Sequence, residues 1–206
     1  TKGKGQMGSI WTSEPAKNLL MSVLIKDFLI DIQAVFNLNI VFSVSVIQVL
    51  KTLNIPELSI KWPNDILSYN KKIGGVLIEN ILKSEGEIWS IVGFGLNVNQ
   101  NDFSHLPQAS SLYEICKTTF DKDVILEQLI ERLQLNIESW NQNNDLFLSE
   151  YNDLLFKKGI PMPFCNQNQE KFMGIIHGIS PVGRLQVLLE DDSVAEFDIK
   201  EIQMLY

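Results

Sequence analysis

The chain has 206 residues, 45% of them hydrophobic and 20% charged, which is enough for one or two globular domains with a substantial core. Its formal net charge of −8 argues against general nucleic-acid binding, which needs a dense basic surface. Two isolated cysteines and no visible signal peptide predict a cytoplasmic protein. His105 and His177 have no ligand-spaced partners, so we predict neither a resident metal site nor a histidine-based triad.

The first eleven residues are rich in glycine and end at Trp11. Glycines alternate there with polar side chains, at Gly3, Lys4, Gly5, Gln6 and Gly8. This pattern leaves backbone N–H groups free to face an anion. It is not a P-loop, because no Gly-Lys-Ser/Thr follows at the required spacing. It is not a dinucleotide fingerprint, because no strand precedes the glycines in this sequence. A flexible, tag-like terminus is the alternative, although an exposed linker seldom carries an aromatic residue such as Trp11.

A strand is predicted over residues 18–25, followed by an apolar, β-branched segment over residues 38–50. Propensity alone favours a strand for that second segment. It contains polar side chains and is shorter than the ~20 residues of a membrane span, so we predict a buried element and no membrane contact.

Residues 59–79 carry the densest functional signal. A short strand leads through Lys61 into Trp-Pro-Asn-Asp at 62–65, and a second strand then runs toward Lys-Lys at 71–72 and Gly-Gly at 74–75. Cations, an Asn-Asp pair and glycines suit an anionic, phosphate-bearing ligand. The alternative is a surface hairpin with solvated lysines.

Three strands are predicted in this region, at residues 58–61, 75–81 and 88–97. In the last one, Gly93 and Gly95 permit close packing or the approach of a ligand. Asn97 and Asn99 share one face by the two-residue period, and an amide can read a nucleobase edge. Equally, these asparagines could begin a turn.

The second half is predicted to be helical and then β-rich. Ser110-Ser111-Leu112 is interpreted as a helix N-cap rather than a nucleophile. One helix is expected over residues 121–141, capped by Asp121 or Asp123, and a second over residues 145–157. The Gly-Ile-Pro-Met-Pro sequence at 159–163 ends the helical part. Short strands separated by glycines then predict a small β-barrel.

Three blocks together resemble the biotin–protein ligases, also called biotin–[acetyl-CoA-carboxylase] ligases. They are Gly-Lys-Gly-Gln-Met-Gly…Trp, Lys-Trp-Pro-Asn-Asp…Lys-Lys-Ile-Gly-Gly, and Gly-Phe-Gly-Leu-Asn-Val-Asn, in the family's order and approximate spacing. Two basic positions of the usual glycine loop are Lys4 and Gln6 here, and Met7 replaces a third. The family has about forty residues before this loop, so we expect its N-terminal segment to be missing from this sequence.

The resemblance implies an α+β fold in which a mixed sheet packs on helices, as in class II synthetase-like catalytic domains. It implies a helix over residues 38–50, a catalytic domain at 1–158 and an SH3-like β-barrel at 159–206.

The implied activity is ATP-dependent: biotin is activated as biotinyl-5′-AMP, with Mg²⁺, and is transferred to a lysine of a biotin carboxyl carrier protein. Lys72 is expected to bridge the biotin carboxylate and the α-phosphate, with Lys61 as a second catalytic lysine. Asp65 is expected to assist Mg²⁺ through water, and Asn97 to read the adenine edge. The residues implied in biotin binding are Gly3, Lys4, Gly5, Gln6 and Lys72. Those implied in ATP binding are Lys4, Gln6, Trp11, Lys61, Asn64, Asp65 and Asn97.

Two alternatives stay open at this point. A lipoate ligase or octanoyltransferase shares the fold and the acyl-to-lysine chemistry, and a non-catalytic biotin- or carrier-binding protein shares the scaffold alone. Edge strands could also support a homodimer, although nothing in the sequence selects one.

Overall fold

A computed structural model describes residues 3–8, 10–29, 31, 34–84 and 86–206. A small hairpin near the N-terminus pairs β1 (Gly3–Lys4) with β2 (Ile10–Trp11), with Gly3 opposite Trp11. The larger elements form a five-stranded sheet backed by helices, followed by a second five-stranded sheet.

The first sheet has the spatial order β3-β7-β6-β5-β4. Its strands are β3 (Leu19–Lys26), β4 (Leu58–Lys61), β5 (Asp65–Ser68), β6 (Lys71–Leu82) and β7 (Ile88–Leu96). Every ladder between these strands is antiparallel, so the prediction of a mixed sheet is wrong for its strand pairing. The reason is that β4 to β7 follow one another through short turns, which permit only antiparallel pairing.

The apolar segment before β4 is the helix α1 (Val35–Thr52), as the family resemblance implied and against the local strand propensity. It is buried along most of its length, and a helix that is apolar all round is a core element. By length and composition alone α1 could cross a membrane, but 72% of it is buried inside the protein, as in the core helix of a soluble protein.

Two further helices follow the first sheet. The short α2 (Leu112–Cys116) begins at Ser111, whose hydroxyl accepts a bond from the Glu114 N–H at 3.0 Å, which confirms the predicted N-cap. The long α3 (Lys122–Asp153) is capped by Asp121. Two helices were expected here, and the break between them is present as a kink at Asn143, where φ is −132°.

The second sheet has the order β11-β10-β9-β8-β12 and is antiparallel. Its strands are β8 (Pro161–Asn166), β9 (Lys171–Ile179), β10 (Leu185–Leu188), β11 (Val194–Phe197) and β12 (Ile202–Met204). Within the described part of the chain, no ladder joins the edges β11 and β12, so a closed SH3-like barrel is not confirmed. The predicted domain boundary at 158/159 lies just before β8 and stays a prediction.

Gly183 fixes how the second sheet packs on the first part of the chain. Its φ is +85°, and a Cβ at this position would lie 2.0 Å from Cγ of Phe36 in α1. Only glycine combines that backbone conformation with such a close approach. Residues of both sheets and of α1 and α3 therefore share one continuous hydrophobic core.

Candidate active site

A cavity of about 1010 Å³ is lined by both sheets and by the N-terminal hairpin. The sequence-predicted residues that line it are Gly3, Lys4, Gly5, Gln6, Trp11, Lys61, Asn64, Asp65 and Lys72. Residues scattered over the first third of the chain are thus brought to one place. Asn97 is the one predicted site residue that does not line the cavity.

Residues 61–65 form a tight corner between β4 and β5, in which Lys61 and Asp65 are opposite each other in the ladder. The corner contains a cis peptide bond between Trp62 and Pro63. This turn places the Lys61 and Asp65 side chains at the same end of the hairpin, on the cavity.

Buried side chains from two helices hold this corner. The Asn39 amide of α1 donates to the Pro63 carbonyl at 2.5 Å, and the Tyr151 hydroxyl of α3 donates to the same oxygen at 3.1 Å. Tyr151 is fully buried, and burial raises the pKa of its phenol, so it stays a neutral donor. Two donors on one carbonyl leave the corner little freedom to move.

The remaining corner side chains connect it to β6 and to the second sheet. Asn64 donates its amide to the Val76 carbonyl at 2.5 Å and accepts the Val76 N–H on its backbone oxygen at 3.0 Å. The Trp62 indole N–H donates to the Gly183 carbonyl at 2.9 Å. Trp62 is therefore a buried packing residue, and Asn64 has a structural role in addition to lining the cavity.

Lys72 and Asp65 form an ion pair at the cavity, with Nζ 2.6 Å from Oδ1. Their side chains are 37% and 20% exposed, so the pair is only partly screened by solvent. The Lys72 backbone is held on the far side, where its N–H donates to Gln108 at 2.8 Å and its carbonyl accepts from Ser110 at 2.9 Å. The ammonium group is therefore well positioned and can still be reached from the cavity.

Trp11 lies flat against two glycines of the sheet. A Cβ at Gly95 would lie 2.7 Å from two indole atoms, and one at Gly75 would lie 3.4 Å from a third. The Lys72 Nζ is 5.7 Å from the centre of the same ring. The indole N–H is buried and has no hydrogen-bond partner within the described part of the chain.

The sheet continues as the floor of the cavity beyond Trp11. Ser22, Gly93 and Leu77 are neighbours across β3, β7 and β6, and all three line the cavity. Apolar side chains of Leu20 and Ile91 lie in the adjacent rows. This floor offers apolar contact with one hydroxyl group.

The second sheet supplies a wall that sequence reasoning missed. This C-terminal wall consists of Phe164, Leu185, Ile199, Lys200, Ile202, Gln203 and Met204. Beside it, the Tyr206 ring lies 4.6 Å from Nζ of Lys61. No local spacing signals such a wall, because the packing of one sheet on the other creates it.

Asn97 and Asn99 use their amides to hold loops. Asn97 donates to the Ser110 carbonyl at 3.0 Å, and Asn99 exchanges two bonds with the Phe120 backbone, at 2.8 and 3.0 Å. Asn97 is buried and does not line the cavity. Its contact with adenine therefore stays a prediction, and its observed bonds fit the turn interpretation.

Carboxylates at the cavity are Asp65 and Glu79. Among the residues that the structure describes, no three His, Cys, Asp or Glu side chains are grouped to hold a metal ion. A Mg²⁺ ion bound mostly by phosphate and water needs only one or two carboxylates, and Asp65, beside Lys72, is placed to supply one.

Residues 1–99 match the Biotin/lipoate A/B protein ligase family. Among curated proteins, the chain is 26% identical to the biotin–[acetyl-CoA-carboxylase] ligase of Mycobacterium tuberculosis, over 90% of this chain and 69% of that protein. It is 31% identical to the bifunctional ligase/repressor BirA of Bacillus subtilis, over 63% of this chain but only 41% of that protein.

Among solved structures, the biotin protein ligase of Aquifex aeolicus in complex with biotin and ATP superposes with a TM-score of 0.81 and 27% identity. That likeness covers 100% of this chain and 85% of the other. The matching blocks, the fold and these relatives agree in supporting a biotin–protein ligase catalytic region.

Proposed function

We propose that this chain activates biotin with ATP as biotinyl-5′-adenylate and transfers the biotinyl group to a lysine of a biotin carboxyl carrier protein. The observation that carries the proposal is the Lys72–Asp65 pair, positioned at a cavity that it shares with Lys61 and the glycine loop. The relatives and the neighbouring complex with biotin and ATP support the choice of substrates.

The first step joins two anions. A biotin carboxylate oxygen attacks the α-phosphorus of ATP, the bond from that phosphorus to the bridging oxygen breaks, and pyrophosphate leaves. Repulsion between carboxylate and phosphate must be offset by fixed positive charge in a preorganised site. Lys72 is the group for this task, because its backbone is held and its ammonium faces the cavity.

Asp65 keeps Lys72 neutralised until an anion arrives. The ammonium can then turn to the substrate, and the released carboxylate becomes available to a metal. Asp65 would assist Mg²⁺ through water, and the ion would neutralise charge on the outer phosphates.

In the second step, the amine of an acceptor lysine attacks the acyl carbon of the adenylate and AMP leaves. The enzyme supplies no nucleophile of its own. Its contribution is to position the mixed anhydride and to shield it from water, for which the hairpin that carries Trp11 is suitably placed.

The sheet floor supports biotin as the acyl substrate. Leu20, Ile91 and Leu77 offer apolar contact to a fused ring system, and the Ser22 hydroxyl can bond a ureido group. We place the reaction in the cytoplasm, in keeping with free Cys116 and Cys165. A homodimer through an edge strand is part of the same proposal.

The test is ATP–pyrophosphate exchange with biotin, lipoate and octanoate in parallel. Exchange with biotin alone is expected, and Lys72→Ala should lower it about 10²- to 10³-fold, the range for loss of one preorganised charged donor. Lys71→Ala is the matched control, because that exposed lysine bonds the Pro107 carbonyl outside the cavity. Exchange with lipoate alone would mean that lipoate, and not biotin, is the substrate. Biotin binding without exchange would make the chain a binding protein.

A further inference from the structure

A second cavity, of about 340 Å³, is lined by α1 and α3. No described residue lines both this cavity and the candidate active site. Its size is at the lower end of the range of about 300–1,000 Å³ for small-molecule sites. Six of the eight described residues that line it are polar or charged, although apolar side chains are usual where two helices pack. The composition of this cavity therefore needs an explanation other than core packing.

The kink in α3 bends that helix around the cavity. In a straight helix, Asn136 and Glu150 would be about 21 Å apart. The amide of Gln48 in α1 nevertheless bonds both side chains, at 3.0 and 2.9 Å. The bend is at Asn143, whose side-chain amide donates to the Ser139 carbonyl at 3.2 Å, and a side chain inserted into the helical ladder is a cause of kinks. Both halves of α3 thus face one small space beside α1.

A chain of hydrogen bonds fixes the orientation of the amides at this cavity. The Glu150 carboxylate accepts hydrogen bonds, so Gln48 presents its Nε2 to Glu150 and its Oε1 to Asn136. Asn136 must therefore donate its Nδ2, at 3.0 Å to Gln48 and at 2.8 Å to the Ser45 hydroxyl. The side-chain oxygen of Asn136 is left over.

Three oxygen acceptors at the cavity remain available to a ligand. Asn136 is only 6% exposed, and its Oδ1 has no hydrogen-bond partner in the described part of the chain. The Oδ1 of Asn143 has none there either, because it is the Nδ2 that bonds Ser139. The third acceptor is the Glu150 carboxylate, whose ion pair with the half-exposed Lys51 is long, at 3.8 Å. An ammonium group, with three N–H donors and a positive charge, matches this set.

The rest of the lining fits an ammonium compound that also carries a carboxylate. The buried Phe147 and its neighbour Leu146 supply an apolar wall for a short aliphatic chain. Arg132, one helical turn before Asn136, lines the cavity and is exposed, and it has no ion pair among the described residues. A guanidinium group at the mouth of a cavity is suited to a carboxylate.

We propose that this cavity binds a small linear amino acid, with an ammonium group and a carboxylate at the two ends of a short aliphatic chain. The ammonium bonds Asn136, Asn143 and Glu150, and the carboxylate pairs with Arg132. The inference is independent of the ligase activity, because the two cavities have no described residue in common.

The experiment is calorimetric titration of the full chain with three probes that share one carbon chain: 5-aminopentanoate, n-pentylamine and pentanoate. The zwitterion 5-aminopentanoate should bind about tenfold more tightly than n-pentylamine, the gain of one charged hydrogen bond. Pentanoate should bind least, because the three oxygens repel an anion. No binding of 5-aminopentanoate, or tighter binding of pentanoate than of n-pentylamine, would overturn the inference.

Two variants test whether the probes bind at this cavity. Glu150→Gln should weaken the binding of 5-aminopentanoate and n-pentylamine about tenfold. Arg132→Gln should lower the affinity for 5-aminopentanoate to that for n-pentylamine and leave the latter unchanged. Glu138→Gln is the matched control, because Glu138 is an exposed carboxylate of α3 that does not line the cavity.

Thermal unfolding of each variant checks that it is folded. If Glu150→Gln does not fold, Arg132→Gln decides, since that side chain is exposed and has no ion pair to lose among the described residues. Unchanged 5-aminopentanoate affinity in Arg132→Gln, or in a folded Glu150→Gln, would overturn the inference, as would an equal loss in Glu138→Gln.

Discussion

The glycine loop, residues 3–11, and the corner, residues 61–65, line the same cavity but are held in opposite ways. The corner is fixed by buried hydrogen bonds from α1, α3 and β6 and by a bond to the second sheet. The loop is a two-stranded hairpin that rests on the sheet through Trp11, with Ile10 73% exposed. One side of the site is therefore held by buried hydrogen bonds and the other mainly by the Trp11 contact. A loop held so lightly suits the proposed reaction, in which an adenylate must be shielded and then released.

Of the substitutions that affect the rigid side, Gly183→Ala is expected to destabilise the protein most. The new Cβ would lie 2.0 Å from Phe36 in a left-handed backbone, so we expect a loss of about 2–5 kcal/mol in the free energy of unfolding. Urea denaturation measures it. Gly86→Ala is the control that contains the backbone strain without the steric clash. Gly86 has φ of +84°, but no atom lies within 4 Å of its Cβ position. Equal losses in both variants would contradict the packing argument.

A milder test of the same side is Tyr151→Phe. It removes one of two donors to the Pro63 carbonyl and leaves the Asn39 bond, so a loss of about 0.5–1.5 kcal/mol is expected by urea denaturation. Tyr69→Phe, at a 56% exposed side chain, is the control and should be neutral. If Tyr151→Phe is equally neutral, the corner does not depend on this hydroxyl.

The loop side is tested by Gly95→Ala. The three heavy atoms nearest to a Cβ at Gly95 all belong to Trp11, so the loop should be displaced while the sheet remains folded. We expect faster proteolysis before residue 12 and weak exchange activity, with a stability loss below about 1 kcal/mol. Gly93→Ala is the control for proteolysis and stability only, because its nearest neighbour lies 3.7 Å away but Gly93 lines the cavity floor. Unfolding of the sheet in Gly95→Ala would show that the loop is not an independent part.

The same contrast explains how far the sequence could be interpreted. The corner was predictable because its charged side chains, Lys61 and Asp65, and its turn residues are neighbours in the sequence. The strand β4 was predicted with its observed bounds, at residues 58–61. The four-residue strand β5 was predicted only as a strand running toward Lys71 and Lys72, without bounds, since it follows the turn without an alternating pattern of its own. The helix α1 needed the family resemblance, because burial on all sides overrides its strand propensity.

The features that were not predictable depend on packing between distant segments. Lys200 lies in a short turn that looks like any surface turn until the second sheet is placed over the cavity. Asn97 is the converse case, in which a chemically suitable amide is used by a neighbouring loop carbonyl. A side chain's hydrogen-bonding capacity is visible in a sequence, but the partner that occupies it is not.

The smallest effect on stability is expected for Trp11→Phe, which tests the contribution of the indole N–H alone. Phenylalanine keeps an aromatic ring against Gly95 and removes a buried N–H that has no partner in the described chain, so the free energy of unfolding should change by less than about 0.5 kcal/mol. Exchange activity should nevertheless fall about threefold to tenfold, because the N–H is expected to donate to the bound substrate. Urea denaturation and exchange kinetics on the same preparation check both values. A variant with unchanged exchange would show that Trp11 serves the site through its ring alone, and one with a large stability loss would mean that the loop is part of the rigid side.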